Sequence, residues 1–215
     1  LHGGEVVGAE LHPLDEDGGV MFDVDGVMIP AHASHVVDTQ LATTLGKEGV
    51  RVRTVEHLLS TLWGMGIDNL CVKVLGDELP VLDGCASEWL TQITSVGVVE
   101  QAQMVRQFHI VKPVEVGTGK RWARLEPAEG MAMDVTIEFD HPWVGRQQLR
   151  MDVNPRVFES ELAWARTFGF ERLVPAMQRM GLVRGGTLDN AVVFGDAGPL
   201  NKGGLRAPDE PVRHK

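Results

Sequence analysis

Apolar and polar residues alternate in short runs along most of this chain, and a few stretches shift to helical spacing. Glu5 to Glu10 and Val20 to Ile29 read as strands, punctuated by turn signals at Asp15-Glu16-Asp17-Gly18-Gly19 and Asp25-Gly26. Thr54 to Trp63 reads as a helix, because Val55, Leu58, Leu59 and Leu62 fall on one face. Thr54 stands where an N-cap would, and Gly64 and Gly66 stop the helix. Leu70 to Leu75 follows as a strand, and Ser87 to Ser95 as a second helix after Asp83-Gly84.

The second half has the same rhythm with different lengths. Gln107 to Val116, Trp122 to Pro127 and Met131 to Phe139 are predicted strands, with a turn at Gly117-Thr118-Gly119. Asn154-Pro155 breaks the chain before a helix over Arg156 to Trp164. Thr167 to Phe194 is mixed: a helix, a turn rich in glycine (Gly181, Gly185, Gly186) and a short strand, Ala191 to Phe194. Strands followed by helices, twice over, predict an α+β fold of two layered halves, 1–104 and 105–215.

Composition narrows the function. With 215 residues, 43% hydrophobic and 23% charged, the chain is an ordinary globular sequence. No run approaches the ~20 apolar residues that cross a bilayer. No basic-then-apolar start resembles a signal peptide, so the expected location is cytoplasmic. A formal net charge of −10 disfavours nucleic acid, which needs clustered Lys and Arg. It leaves room for a small anionic ligand held by a few local cations. Cys71 and Cys85 form no CxxC pair and read as reduced, packed thiols.

Three places could do chemistry. Glu56-His57 sits at the start of the first helix, where a neutral imidazole can ligate zinc and the neighbouring carboxylate can take a proton from water. The same pair also suits a helix-dipole carboxylate beside a structural histidine. Asp209-Glu210-Pro211-Val212-Arg213-His214-Lys215 offers a second histidine, or a solvated charged tail. Ala165 to Phe170 with Gly185 to Asn190 reads as a pocket wall or as core packing. Phosphate loops, GxGxxG, HExxH and GxSxG are all missing.

Together these blocks resemble one family. Thr54-Val55-Glu56-His57-Leu58-Leu59, Gly64-Met65-Gly66-Ile67-Asp68-Asn69 and Pro80-Val81-Leu82-Asp83-Gly84 look like the bacterial UDP-3-O-acyl-N-acetylglucosamine deacetylases. So do Leu1-His2-Gly3-Gly4, Phe139-Asp140-His141-Pro142, Ala165 to Phe170, Gly185 to Asn190, Asn201 to Arg206 and Val212 to Lys215, in family order along the whole chain. The resemblance implies two β-α-α-β halves packed through their helices, with the active site between them. It implies a zinc ion held by His57 and His214, with Glu56 as general base and Thr167 polarising the amide or holding its oxyanion. It also implies that Lys215 contacts the nucleotide-sugar, Arg121 lies near the phosphates and Phe139 near the uracil. Phe168, Gly186, Thr187, Ala191 and Val193 would line a passage for the fatty acyl chain.

The family's third ligand, an aspartate four residues beyond His214, and a later histidine fall outside the sequence, so a chain truncated at both ends is expected. The expected activity is zinc-dependent deacetylation in lipid A biosynthesis, with no stable membrane insertion. The alternative is a non-catalytic module that binds UDP-sugar or acyl chain.

Overall fold

The computed structural model describes residues 1–215. Its first half begins with β1 (Gly8–Pro13), β2 (Val20–Val24) and β3 (Val27–Pro30). Asp25 and Gly26 take φ of 51° and 85°, the backbone a two-residue hairpin between β2 and β3 requires. A small sheet follows, made of β4 (Val36–Asp38), β5 (Thr44–Lys47) and β6 (Val50–Val52). The pattern of the sequence does not predict it, because strands of three or four residues are too short to display alternation. Then come α1 (Glu56–Met65), β7 (Leu70–Leu75) and α2 (Ser87–Val96).

β7 inserts between β1 and β2, antiparallel to the first and parallel to the second, giving the order β1-β7-β2-β3. α1 and α2 cover one face of this sheet. Phe22, Ile29 and Val72 from the strands meet Leu58 and Leu62 of α1 and Trp89 and Ile93 of α2. Burying each such side chain contributes about 1.5–3 kcal/mol, so this core fixes where α1 presents its first turn.

Two local expectations fail for physical reasons. The first strand starts at Gly8 rather than Glu5, since its partner β7 ends at Leu75 opposite Gly8 and Gly76 turns away with φ of 120°. Thr54 does not cap α1: it has φ of 59°, and its hydroxyl donates to Glu78 Oε1 at 3.0 Å. Gly66 does end α1, in a left-handed conformation with its amide bonded to the Leu62 and Trp63 carbonyls.

The second half holds β8 (Val114–Thr118) paired with β9 (Arg121–Leu125), and β10 (Ala132–Glu138) paired with β11 (Arg146–Asp152). The strand expected from Gln107 therefore starts only at Val114. The expected helix over Arg156 to Trp164 is a single turn, α3 (Pro155–Val157), running into a π-helical turn, Phe158–Leu162. β12 (Phe168–Phe170), α4 (Val174–Arg179), β13 (Val192–Gly195), β14 (Gly198–Pro199) and α5 (Glu210–His214) complete it. β12 and β13 pair in parallel, and Phe170, Val192, Phe194, Ile137 and Val212 form the core of this half.

The halves meet through helices. Gly64 of α1 lies flat against the Phe158 ring, where any Cβ would overlap it. Trp63 stacks edge-on against the same ring at 6.5 Å. At the start of α2, the Ala86 amide donates to the Ala163 carbonyl at 2.8 Å. Nearby, the Thr167 amide donates to the Gly84 carbonyl at 2.7 Å. That seam carries the site.

Candidate metal and active site

α1 opens with Glu56 and His57, and α5 closes with His214. The two imidazoles come from opposite halves and meet edge to face, ring centroids 5.2 Å apart. α5 is no solvated tail: Glu210, Pro211 and Val212 are all buried, and Val212 belongs to the core of the second half. The charge-rich sequence conceals this because most of its charges are paired internally.

Both histidines are held neutral. Burial pushes His57 down to about 4, with nearby Asp83 opposing and Lys215 adding to the shift. Burial pushes His214 down to about 3, and the neighbouring His57 and Lys215 push the same way. His214 Nδ1 lies 3.2 Å from the Ala165 carbonyl. A carbonyl only accepts, so Nδ1 carries the proton and Nε2 keeps its lone pair. His57 Nδ1 is buried with no hydrogen-bond partner, and an orphaned buried nitrogen is costly unless something ligates it.

These observations fit a metal ion. Two neutral imidazoles meet edge to face, His214 with its Nε2 lone pair left free by the Ala165 carbonyl and His57 with a buried nitrogen lacking a partner. No group of three His, Cys, Asp or Glu side chains converges anywhere in the protein, so the residues present supply a two-nitrogen donor set.

Glu56 is half-buried beside this pair. Its Oε2 accepts from the Thr43 amide at 3.0 Å, which fixes the carboxylate. Burial raises its pKa, while that amide and the charge of Lys215 hold it back. A carboxyl shifted upward is a stronger base than one in water.

Phe168 joins the cluster from β12. Its ring lies 6.4 Å from that of His214 and 5.4 Å from that of Phe139, and Lys215 Nζ sits 5.7 Å over its face. Thr167 is tied to Gly84 through its amide, and its hydroxyl makes no hydrogen bond within the protein. Gly84 has φ of 88°, and a Cβ there would strike the Asn190 carbonyl and press on Thr167.

Ala191 and Val193 alternate with the buried Val192 and Phe194, so they share the half-buried face of β13 and its approach. Gly186 and Thr187 stand in the exposed turn leading to it, and the Thr187 amide is fixed by Asn190 Oδ1 at 2.8 Å. Arg121 lies opposite Thr118 at the tip of the β8–β9 hairpin, exposed, and makes no hydrogen bond or ion pair with a site residue; its neighbour Lys120 reaches Glu138, next to Phe139, at 3.6 Å. Sequence reading alone passed over Thr43, whose contribution is a backbone amide, and Asp83, which read as a turn residue. Arg206 Nη2 donates to Asp83 Oδ2 at 2.9 Å. The Cys85 thiol donates to the same oxygen at 3.3 Å. Burial and Asp83 together raise that thiol's pKa, so Cys85 is no nucleophile.

Comparison with known proteins finds relatives along the whole chain. The family model described as LpxC, UDP-3-O-acyl N-acetylglycosamine deacetylase, matches residues 1–215. A UDP-3-O-acyl-N-acetylglucosamine deacetylase of Myxococcus xanthus is 47% identical over 219 residues, covering 100% of this chain and 70% of that protein. Its namesake in Anaeromyxobacter dehalogenans is 44% identical, covering 100% of this chain and 70% of that one. The Acidithiobacillus ferrooxidans protein of the same name is 44% identical, with 100% and 73% covered.

Proposed function

This chain belongs to the UDP-3-O-acyl N-acetylglycosamine deacetylase family, and from that premise we propose that it hydrolyses the acetamide of a UDP-3-O-acylated N-acetylglucosamine in lipid A biosynthesis. The observation that carries the reading is the meeting of His57 and His214 beside Glu56, across the seam between the halves. The names of the relatives supply the substrate class. No helix is long and apolar enough to cross a membrane, and we place the reaction in the cytoplasm.

In this reading His57 and His214 hold a zinc ion. When bound there, zinc would supply Lewis-acid chemistry, polarising the acetyl carbonyl and making water more acidic. Glu56, fixed by the Thr43 amide and raised in pKa by burial, takes the proton from the attacking water. The Thr167 hydroxyl donates toward the acetyl oxygen as negative charge develops on it. Lys215, held over the Phe168 ring, faces the anionic nucleotide-sugar. Phe168, Gly186, Thr187, Ala191 and Val193 take the acyl chain, worth ~0.8 kcal/mol per buried methylene. Phe139, packed edge-on against Phe168 at 5.4 Å, takes the uracil.

Acetate release from UDP-3-O-acyl-N-acetylglucosamine, with zinc added, tests the proposal. Absence of any release at saturating zinc and substrate contradicts it. The two-nitrogen donor set supports a second reading, a module that binds UDP-sugar without turning it over, since catalytic zinc sites use three protein ligands. Calorimetry with the UDP-sugar, with and without zinc, separates the two. Binding without acetate release favours the module, and no binding in either condition removes it.

A further inference from the structure

Glu210 is a buried carboxylate with 1% exposure, in the first turn of α5 and one turn before His214. Its oxygens accept from the Arg166 amide at 3.1 Å, from Arg166 Nε at 2.8 Å and Nη2 at 3.1 Å, and from the Arg206 amide at 2.7 Å. Arg166 Nη2 also reaches the Gly204 carbonyl at 2.9 Å. Arg206 extends the network to Asp83 of the first half. A buried charge costs several kcal/mol unless paired and fully hydrogen-bonded, and here four donors meet one carboxylate.

The location of Arg166 makes this more than a helix anchor. It stands between Ala165, whose carbonyl accepts the hydrogen bond from His214 Nδ1, and Thr167, whose amide donates to Gly84. One side chain thus clamps α5 to the segment that selects the His214 tautomer and presents the Thr167 hydroxyl.

We infer that Glu210 is a positioning residue: through Arg166 it sets α5 against residues 165–167, so that His214 keeps its proton on Nδ1 and its lone pair on Nε2. The inference rests on the reading of His214 as a metal ligand. A neutral imidazole has two tautomers, and the hydrogen bond to one nitrogen decides between them. Partners that orient a ligand typically cost 10–100-fold in metal affinity when lost.

The test is the tautomer itself, read from imidazole nitrogen shifts of the metal-free chain near neutral pH. Wild type shows a single His214 tautomer protonated on Nδ1. Glu210→Gln gives a mixture of tautomers, and zinc affinity by chelator competition falls 10- to 100-fold. Arg166→Lys, which removes the fork but keeps the charge and the backbone donor, moves both readouts the same way if Glu210→Gln fails to fold. Arg213→Lys is the control. It loosens the same helix from Glu161 and breaks the helix's own i,i+4 pair with Asp209 without touching Glu210, and leaves the tautomer unchanged at equal loss of Tm. An unchanged tautomer in Glu210→Gln or Arg166→Lys overturns the inference, as does an equal change in Arg213→Lys. If the tautomer moves but wild type takes up no zinc, the positioning stands and the ligand reading falls.

Discussion

His57 and His214 approach each other edge to face at 5.2 Å although 157 positions separate them in the chain. One is on the first turn of a helix packed in the first core, the other on the last turn of a helix packed in the second. The relationship between the halves therefore sets the geometry of the site.

Replacing the base without changing its size isolates its chemistry. Glu56→Gln is expected to lower kcat by about 10²–10⁴, the usual contribution of a positioned general base. Zinc content should not change, because Glu56 is held by the Thr43 amide rather than by either histidine. Elemental analysis beside the acetate assay checks both halves of this claim. Undiminished turnover would take the role of base away from Glu56.

Thr167→Val keeps the shape of the side chain and the backbone bond to Gly84. The expected loss falls on kcat, by about 10²–10³ if the hydroxyl donates to the developing oxyanion, with KM little altered. A rise in KM alone at constant kcat would show that Thr167 binds substrate without discriminating its transition state.

The seam should be sensitive to a single methyl group. Gly64→Ala drives a Cβ into the Phe158 ring, and overpacking of this kind costs about 1–3 kcal/mol. Urea unfolding reads the loss directly. Phe158→Leu in the same chain should restore much of it, because the smaller side chain clears the space. Failure of that rescue would place the strain elsewhere.

Acid should weaken the metal-free fold through the same two imidazoles. Their folded values, about 4 and about 3, lie below the ordinary 6.5, so the unfolded chain takes up protons first. The stabilisation is fully present above pH 6.5 and is lost as pH falls toward those lower values, at up to about 1.4 kcal/mol per pH unit for each histidine. Urea midpoints at pH 7 and pH 5 measure it, and the double variant His57→Gln, His214→Gln should flatten the difference. An equal slope in that variant would assign the acid sensitivity to other groups.

Much of the architecture was legible where one element buries one face. β7 falls where Leu70 to Leu75 predicts it, and α1 buries Val55, Leu58 and Leu62 as their spacing requires. The sheet of β4, β5 and β6 left no such trace. The strand β11 was also missed, because Arg146, Gln148 and Arg150 dilute the apolar signal of Leu149 and Met151. At the site, Glu56, His57, Thr167, Phe168, His214 and Lys215 were visible as residue types in ordered blocks, and the fold brings them to one seam. Their partners were not visible. Thr43 and Ala165 act through backbone atoms, and Glu210 acts through a contact 44 positions away in the chain. Arg121 stands apart: the resemblance implied a phosphate contact, and the hairpin presents it exposed opposite Thr118, with neighbouring Lys120 paired to Glu138 beside Phe139.

The most direct test of the central claim is a zinc titration of this chain followed through the imidazole resonances of all eight histidines. The account predicts that His57 and His214 shift together and saturate at one zinc per chain, with His141, packed against Phe170 and Phe194, unmoved. If zinc saturates the chain without moving either resonance, or binds equally well to His57→Gln and His214→Gln, the two histidines are not ligands and the hydrolytic reading loses its metal.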